Sequence, residues 1–182
     1  MKRCVWCNLN NEIYVNYHDK EWGVLNLDDT YLFEMLILEL FQAGLSFECV
    51  LNKRGYFKEA YDNFDVDKVS LYDDNKINEL MNNKNIIRNK LKIKASINNA
   101  KIFNNIKDEY GSFHNYLKMF TNDKIIYEND KTTSKLSDVI SNDLRNRGMK
   151  FIGSTIIYSY LQAIGIINSH DDSCYKHVKK AS

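Results

Sequence analysis

Thiol and imidazole side chains crowd the two ends of this chain. Cys4, Cys7 and His18 lie near its start and His170, Cys174 and His177 near its end, with only Cys49 and His114 between them. Zinc takes four such ligands tetrahedrally, so a structural site needs two pairs that meet in space. His170-x3-Cys174 sets both side chains on one face of a turn and makes one pair. The other is Cys4 with His18 or Cys4 with Cys7, and spacing leaves both open. A second chemical feature is a carboxylate inside an apolar segment. Tyr31 to Ser46 (YLFEMLILELFQAGLS) is apolar nearly all round, the mark of a core helix. Glu39 shares a face there with Met35, Leu36, Gln42 and Ala43, none of which can neutralise it. A buried acid needs a partner or a proton. A distant Arg, a helix end or a cationic ligand would serve.

Two further groups bear on ligands. Trp6, Tyr14, Tyr17 and Trp22 fall within seventeen residues, and they include both tryptophans of the protein. Such rings pack cores, and they also cage planar or cationic molecules. The stretch Lys84-Asn-Ile-Ile-Arg-Asn-Lys-Leu-Lys92 lies between two expected helices. A turn of this kind, with free backbone N–H groups and several bases, can hold a DNA phosphate. It opens a run of seven bases and no acid from Lys84 to Lys107, following six acids between Asp62 and Glu79. The formal net charge of +1 conceals this segregation.

The elements that must position these residues are helical. The chain has 182 residues, no proline and seven glycines, which argues against an all-β protein of many tight turns. At 44% apolar and 27% charged residues the composition is globular. Helices are expected from Tyr31 to about Leu45, Phe47 to Phe64, Asp73 past Met81, and from Lys90 onward with Ile93, Ile97, Ala100 and Asn104 on one face. Two more are expected from Ser137 to Leu144 and from Gly153-Ser154-Thr155 to about Gly165. No alternating strand stands out, and the expected class is all-α. The apolar stretch around Leu36–Leu40 is too short to cross a bilayer, and no apolar leader is visible. A soluble, cytoplasmic, reduced protein is expected, with its cysteines as metal ligands or core residues.

Six blocks stand in an order that identifies a family. They are Arg3-Cys4-x-Trp6, Tyr17-His18-Asp19-x-Glu21-Trp22-Gly23-Val24, Leu32-Phe33-Glu34-Met35, Gln42-Ala43-Gly44-Leu45-Ser46, Ile86-Ile87-Arg88 and Lys150-Phe151-Ile152-Gly153-Ser154-Thr155-Ile156-x-Tyr158-Ser159. With them the chain resembles the DNA-3-methyladenine glycosylase I family of bacterial alkylation-repair enzymes, from Met1 to about Cys174. The resemblance implies a single 1–182 unit with an all-α helix-hairpin-helix glycosylase fold. Its hairpin region is about 73–107, and its end segments 1–24 and 165–182 are joined by one structural zinc ion. It implies Cys4, His18, His170 and Cys174 as the zinc ligands, and a base pocket of Trp6, Tyr14, Tyr17, Trp22 and Glu39. Glu39 would be the key carboxylate, and the Gln42-Ala43-Gly44-Leu45 turn would enter the duplex. Arg88, Lys90 and Lys92 (or Lys94) are expected on phosphates. The implied activity is excision of 3-methyladenine from double-stranded DNA by a monomer.

Two departures from the family pattern are visible. Phe47 stands where a base-stacking Trp is usual. The hairpin lacks its glycines, with Leu91 in place of one and Asn85 as a substitute able to adopt a left-handed conformation. Two rival functions are a damage-binding module weakened in catalysis, and a glycosylase-lyase using Lys90 as nucleophile with Asp108.

Overall fold

Most helices of this protein begin where a short polar side chain can take up free backbone N–H groups. Asn11, Asp28, Ser46, Asp65, Asp73, Asn89 and Ser112 each accept from the first turn of the helix they precede. The computed structural model describes residues 1–178; the end of the expected 165–182 segment, residues 179–182, lies outside them. The elements are α1 (Glu12–Lys20), α2 (Asp29–Gln42), α3 (Phe47–Leu51), α4 (Arg54–Ala60), α5 (Val66–Ser70), α6 (Asp74–Asn82), α7 (Lys90–Tyr110), α8 (Phe113–Thr121), β1 (Ile126–Tyr127), α9 (Lys135–Asn146), α10 (Ser154–Ala163) and β2 (Ile167–Asn168). The all-α class holds. The two strands, unforeseen in the sequence, pair in parallel with Ile126 opposite Ile167.

Helix α2 is the axis of the core. Every residue from Leu32 to Phe41 is buried, because α7, α8 and α10 pack around it. On α7, Ile93, Ile97 and Ala100 face inward as their spacing predicts, while Asn104 is only partly covered. α2 stops at Gln42, three residues before the expected end. Ala43 leaves helical dihedrals and Gly44 takes φ +82°, a left-handed stop that glycine adopts without strain. The helix expected from Phe47 to Phe64 is broken instead into α3, α4 and a single 3₁₀ turn (Asp62–Phe64). Lys53 departs from helical geometry between α3 and α4, and Asp62, Asn63 and Phe64 all carry positive φ. The buried ring of Phe64 anchors that turn. The helices α1, α5 and α8 were not expected from the sequence.

The chain ends meet on one side. Gly23 N–H donates to Gln162 O at 3.1 Å and Asn26 N–H to Ile164 O at 3.1 Å. Gly165 permits this approach: at φ +78° it lies so close to Val24 that a Cβ would sit 2.2 Å from the Val24 carbonyl carbon. Only glycine fits there.

Candidate functional site

Two carboxylates are buried on α2, and their surroundings differ. Glu34 Oε1 accepts from Arg54 at 2.7 Å and lies 3.3 Å from Lys58 Nζ. Arg54 also pairs with Glu21 at 2.7 Å. Glu39 has no such partner. It is 2% exposed, and its Oε2 makes no hydrogen bond. Burial alone pushes its carboxyl up to about 8. At neutral pH Glu39 is therefore mostly a neutral acid, and a cation placed beside it would draw the proton off.

Glu39 opens into a cavity of about 260 Å³. Trp6, Tyr14, Tyr17, Trp22, Phe47 and Gln42 line it, so the aromatic cluster of the sequence and the acid of α2 form one site. The Trp6 and Trp22 rings meet edge-on at 4.8 Å, and Tyr17 and Phe47 lie 5.1 Å apart. Burial raises the phenols of Tyr14, to about 12, and of Tyr17, so both stay neutral donors. Asp130, Ser159, Gln162, Ser169 and Asp171 complete the lining, which includes no Lys or Arg among the described residues. Sequence reading missed these five. Ser169 and Asp171 flank His170, and that adjacency was the available signal.

Behind the cavity wall, Cys4, His18, His170 and Cys174 are all buried, with their ligating atoms within 4.8 Å of one another. The second pair is thus Cys4 with His18; Cys7 is buried close by, its N–H donating to the Cys4 carbonyl at 3.0 Å, but it is not one of the four. Cys4 Sγ is 3.3 Å from His170 Nδ1, and Cys174 Sγ is 3.5 Å from His18 Nε2 and 3.6 Å from His170 Nδ1. A tetrahedral zinc with ordinary Zn–S and Zn–N bonds has S···N edges of roughly 3.6 Å. Both imidazoles are held in the ligating tautomer. His18 Nδ1 donates to Asp19 at 2.8 Å, and His170 Nε2 donates to the Trp22 carbonyl at 3.2 Å, which leaves His18 Nε2 and His170 Nδ1 as lone-pair nitrogens facing the thiols. Arg3 grips Asp19 with two hydrogen bonds and holds its carboxyl well below the usual range. Backbone N–H groups of Asp171 and Lys176 point at the Cys4 and Cys174 sulfurs. Burial pushes His170 down to about 4 and the Cys4 thiol up to about 12. The imidazole is therefore already in its binding form, and a bound cation would displace the thiol protons. The donor set fits a structural divalent metal of zinc's preference.

The basic stretch divides. Arg88 is exposed in the turn between α6 and α7, and Lys90 is exposed at the first position of α7. Lys92 is not available for a phosphate. It is 6% exposed, and its ammonium donates to the carbonyls of Phe41 (2.9 Å) and Ala43 (2.5 Å) at the end of α2. A cation is stabilised there by the helix dipole and the free carbonyls, so the expectation for Lys92 is corrected. Asn85 and Leu91 do not have positive φ, and the turn needs no glycine at either place. Lys90 and Asp108 lie on the same helix eighteen positions apart, roughly 27 Å at the helical rise. Neither lines the cavity, so they cannot form a nucleophile–acid pair. Gly44 and Leu45 form an exposed turn between the cavity residues Gln42 and Phe47.

The fold and site together define a helical protein with an aromatic-walled pocket around an unpaired acid, beside four buried side chains able to hold a metal ion. Comparison with known proteins is specific. A sequence model of the methyladenine glycosylase family matches residues 6–177. The DNA-3-methyladenine glycosylase 1 of Escherichia coli K12 is 37% identical over 180 residues, covering 96% of each chain. A crystal structure of 3-methyladenine DNA glycosylase I superposes with a TM-score of 0.93 at 34% identity, over 97% of this chain and 100% of the other. A variant of a 3-methyladenine DNA glycosylase I in complex with 3-methyladenine gives 0.92 at 31% identity, over 98% and 99%. This chain belongs to the methyladenine glycosylase family.

Proposed function

We propose that this protein excises 3-methyladenine from alkylated double-stranded DNA by hydrolysing its N-glycosidic bond. The carrying observation is Glu39: a buried carboxyl without a partner, in an aromatic cavity that offers other acids and no base. A ring methylated at N3 is a cation while attached to the sugar. It is the ligand that restores charge balance beside Glu39, and neutral adenine is not. Trp6, Tyr14, Tyr17, Trp22 and Phe47 surround the same charge with aromatic rings.

The cation is already a good leaving group. Scission of the bond between N9 and C1′ sends the electron pair into the ring and neutralises it. Water adds at C1′ and its proton goes to solvent. Glu39 accepts from the amino group of the base, holds the positive ring and needs to donate no proton. Gln42, Gly44 and Leu45 are suited to fill the gap in the duplex, because the exposed turn lies between two cavity-lining residues. Arg88 and Lys90 are suited to phosphates, within a helix-hairpin-helix formed by α6, the 83–89 turn and α7. A zinc ion held by Cys4, His18, His170 and Cys174 would act as a closed structural site with no position left for water.

The test is incubation of the purified protein with methylated duplex DNA, followed by chromatography of released bases and borohydride treatment of the DNA. Free 3-methyladenine with no trapped protein–DNA adduct is expected. Binding to damaged duplex without base release would leave a damage-binding module instead, and a trapped adduct would mean lyase chemistry.

A further inference from the structure

Among the described residues, five buried side-chain atoms lack a hydrogen-bond partner, and three of them line the base cavity: Glu39 Oε2, Gln42 Oε1 and Ser169 Oγ. Such atoms are costly unless a ligand satisfies them. An adenine edge has two needs. Its amino group donates, and its ring nitrogens N1 and N7 accept. Ionised Glu39 and the Gln42 oxygen can only accept. Of these three unpartnered atoms, only the Ser169 hydroxyl then carries a proton to give, beside the neutral phenols of Tyr14 and Tyr17 on the same wall.

Ser169 is also rigidly presented. It follows β2, whose Asn168 carbonyl accepts from Glu128 N at 3.2 Å, and it precedes His170 of the metal cluster. The side chain is 8% exposed. The Tyr158 hydroxyl, also without a partner, is near both Ser169 and Glu128. We propose that the Ser169 hydroxyl is a second base-reading group, donating to a ring nitrogen of the extruded base while Glu39 accepts from its amino group. This assignment rests on the proposed function and extends it from charge to hydrogen-bond pattern.

Trp6 and Trp22 line the cavity and are the two tryptophans of the chain, so quenching of their fluorescence reports binding of free bases. The probes are 3-methyladenine, 3-methyl-1-deazaadenine and 3-methyl-7-deazaadenine, titrated above the Glu39 value of about 8, where its carboxylate is ionised, into wild type, Ser169→Ala and Glu39→Gln. Ser169→Ala is expected to bind 3-methyladenine roughly three- to tenfold more weakly, the worth of one neutral hydrogen bond. For one of the two deaza analogues, wild type and Ser169→Ala should bind alike, because the acceptor is gone. The wild-type comparison of the three bases does not depend on any variant folding. The melting temperature of empty Ser169→Ala should be unchanged or higher, since an unpartnered buried hydroxyl is removed; a structural role would lower it. Unaltered binding of 3-methyladenine by Ser169→Ala, or an equal loss for all three bases, overturns the assignment while Glu39→Gln still reports on the site. If wild type binds none of the bases, the reading of the site fails and the assignment falls with it.

Discussion

Glu34 and Glu39 stand on one helix, five residues apart, and only Glu34 has a cation beside it. That difference has a consequence in the empty protein. Glu39 titrates at about 8 when folded, against 4.5 for an ordinary glutamate. A raised folded value means its contribution to stability is fully present below pH 4.5 and is lost as pH rises toward 8. The loss is on the order of a few kcal/mol. Burial of His170 as a neutral base acts in the other direction, losing stability as pH falls from 6.5 toward 4. The difference between wild type and Glu39→Gln isolates the carboxylate. Melting curves should show Glu39→Gln gaining on wild type steadily between pH 5 and 8; parallel curves would mean that the acid is neutralised by the protein. That Glu39 finds no partner on its own helix is legible from its apolar neighbours. That Glu34 would be paired was not, because Arg54 and Lys58 lie twenty or more residues away and the pairing is tertiary.

At the scale of elements, the end of α2 and the start of α7 are fastened by Lys92. Its ammonium takes up two carbonyls that the helix leaves free, at the base of the turn carrying Gly44 and Leu45. Replacing Lys92 by Ala should cost about 2 kcal/mol of stability, the worth of a hydrogen bond to a charged group. Arg88→Ala should leave stability within about 0.5 kcal/mol and reduce the salt slope of duplex binding by about one. Urea melts and salt-dependent titrations of both variants check this; the opposite pattern would return Lys92 to the phosphates. A run of bases reads as one solvated face in the sequence. Nothing local marks which member turns inward, since its acceptors come from a helix fifty residues earlier. The break of the expected 47–64 helix was hidden for a similar reason: its left-handed turn is fixed by burial of Phe64.

Across the whole molecule, the four candidate metal ligands and the aromatic cavity share a wall. Tyr17 precedes His18, Ser169 and Asp171 flank His170, and the Trp22 carbonyl accepts from His170. Cation loss should therefore loosen the cavity as well as the chain ends. With free zinc about a thousandfold above its Kd, binding contributes roughly 4 kcal/mol, or about 8–16 °C in melting temperature for a chain of this size. Cys174→Ala should lose both the metal and that increment, and Cys7→Ala should retain one zinc per chain by elemental analysis. Equal metal content in the two variants would remove the site. The clustering of ligands at the chain ends was visible in the sequence. The choice of His18 over Cys7 rested on resemblance until the fold set His18 beside Cys174.

The central claim is that an unpaired carboxylate in this cavity is committed to a cationic base. Single-turnover release of 3-methyladenine from a duplex carrying one lesion tests it, with wild type, Glu39→Gln and Glu39→Ala compared at equal folded concentration. Glu39→Gln keeps the size and one acceptor and should slow release by about tenfold to a hundredfold. Glu39→Ala should lose more, with both variants folded and metal-loaded. Release at the wild-type rate by a stably folded Glu39→Ala protein would contradict the account.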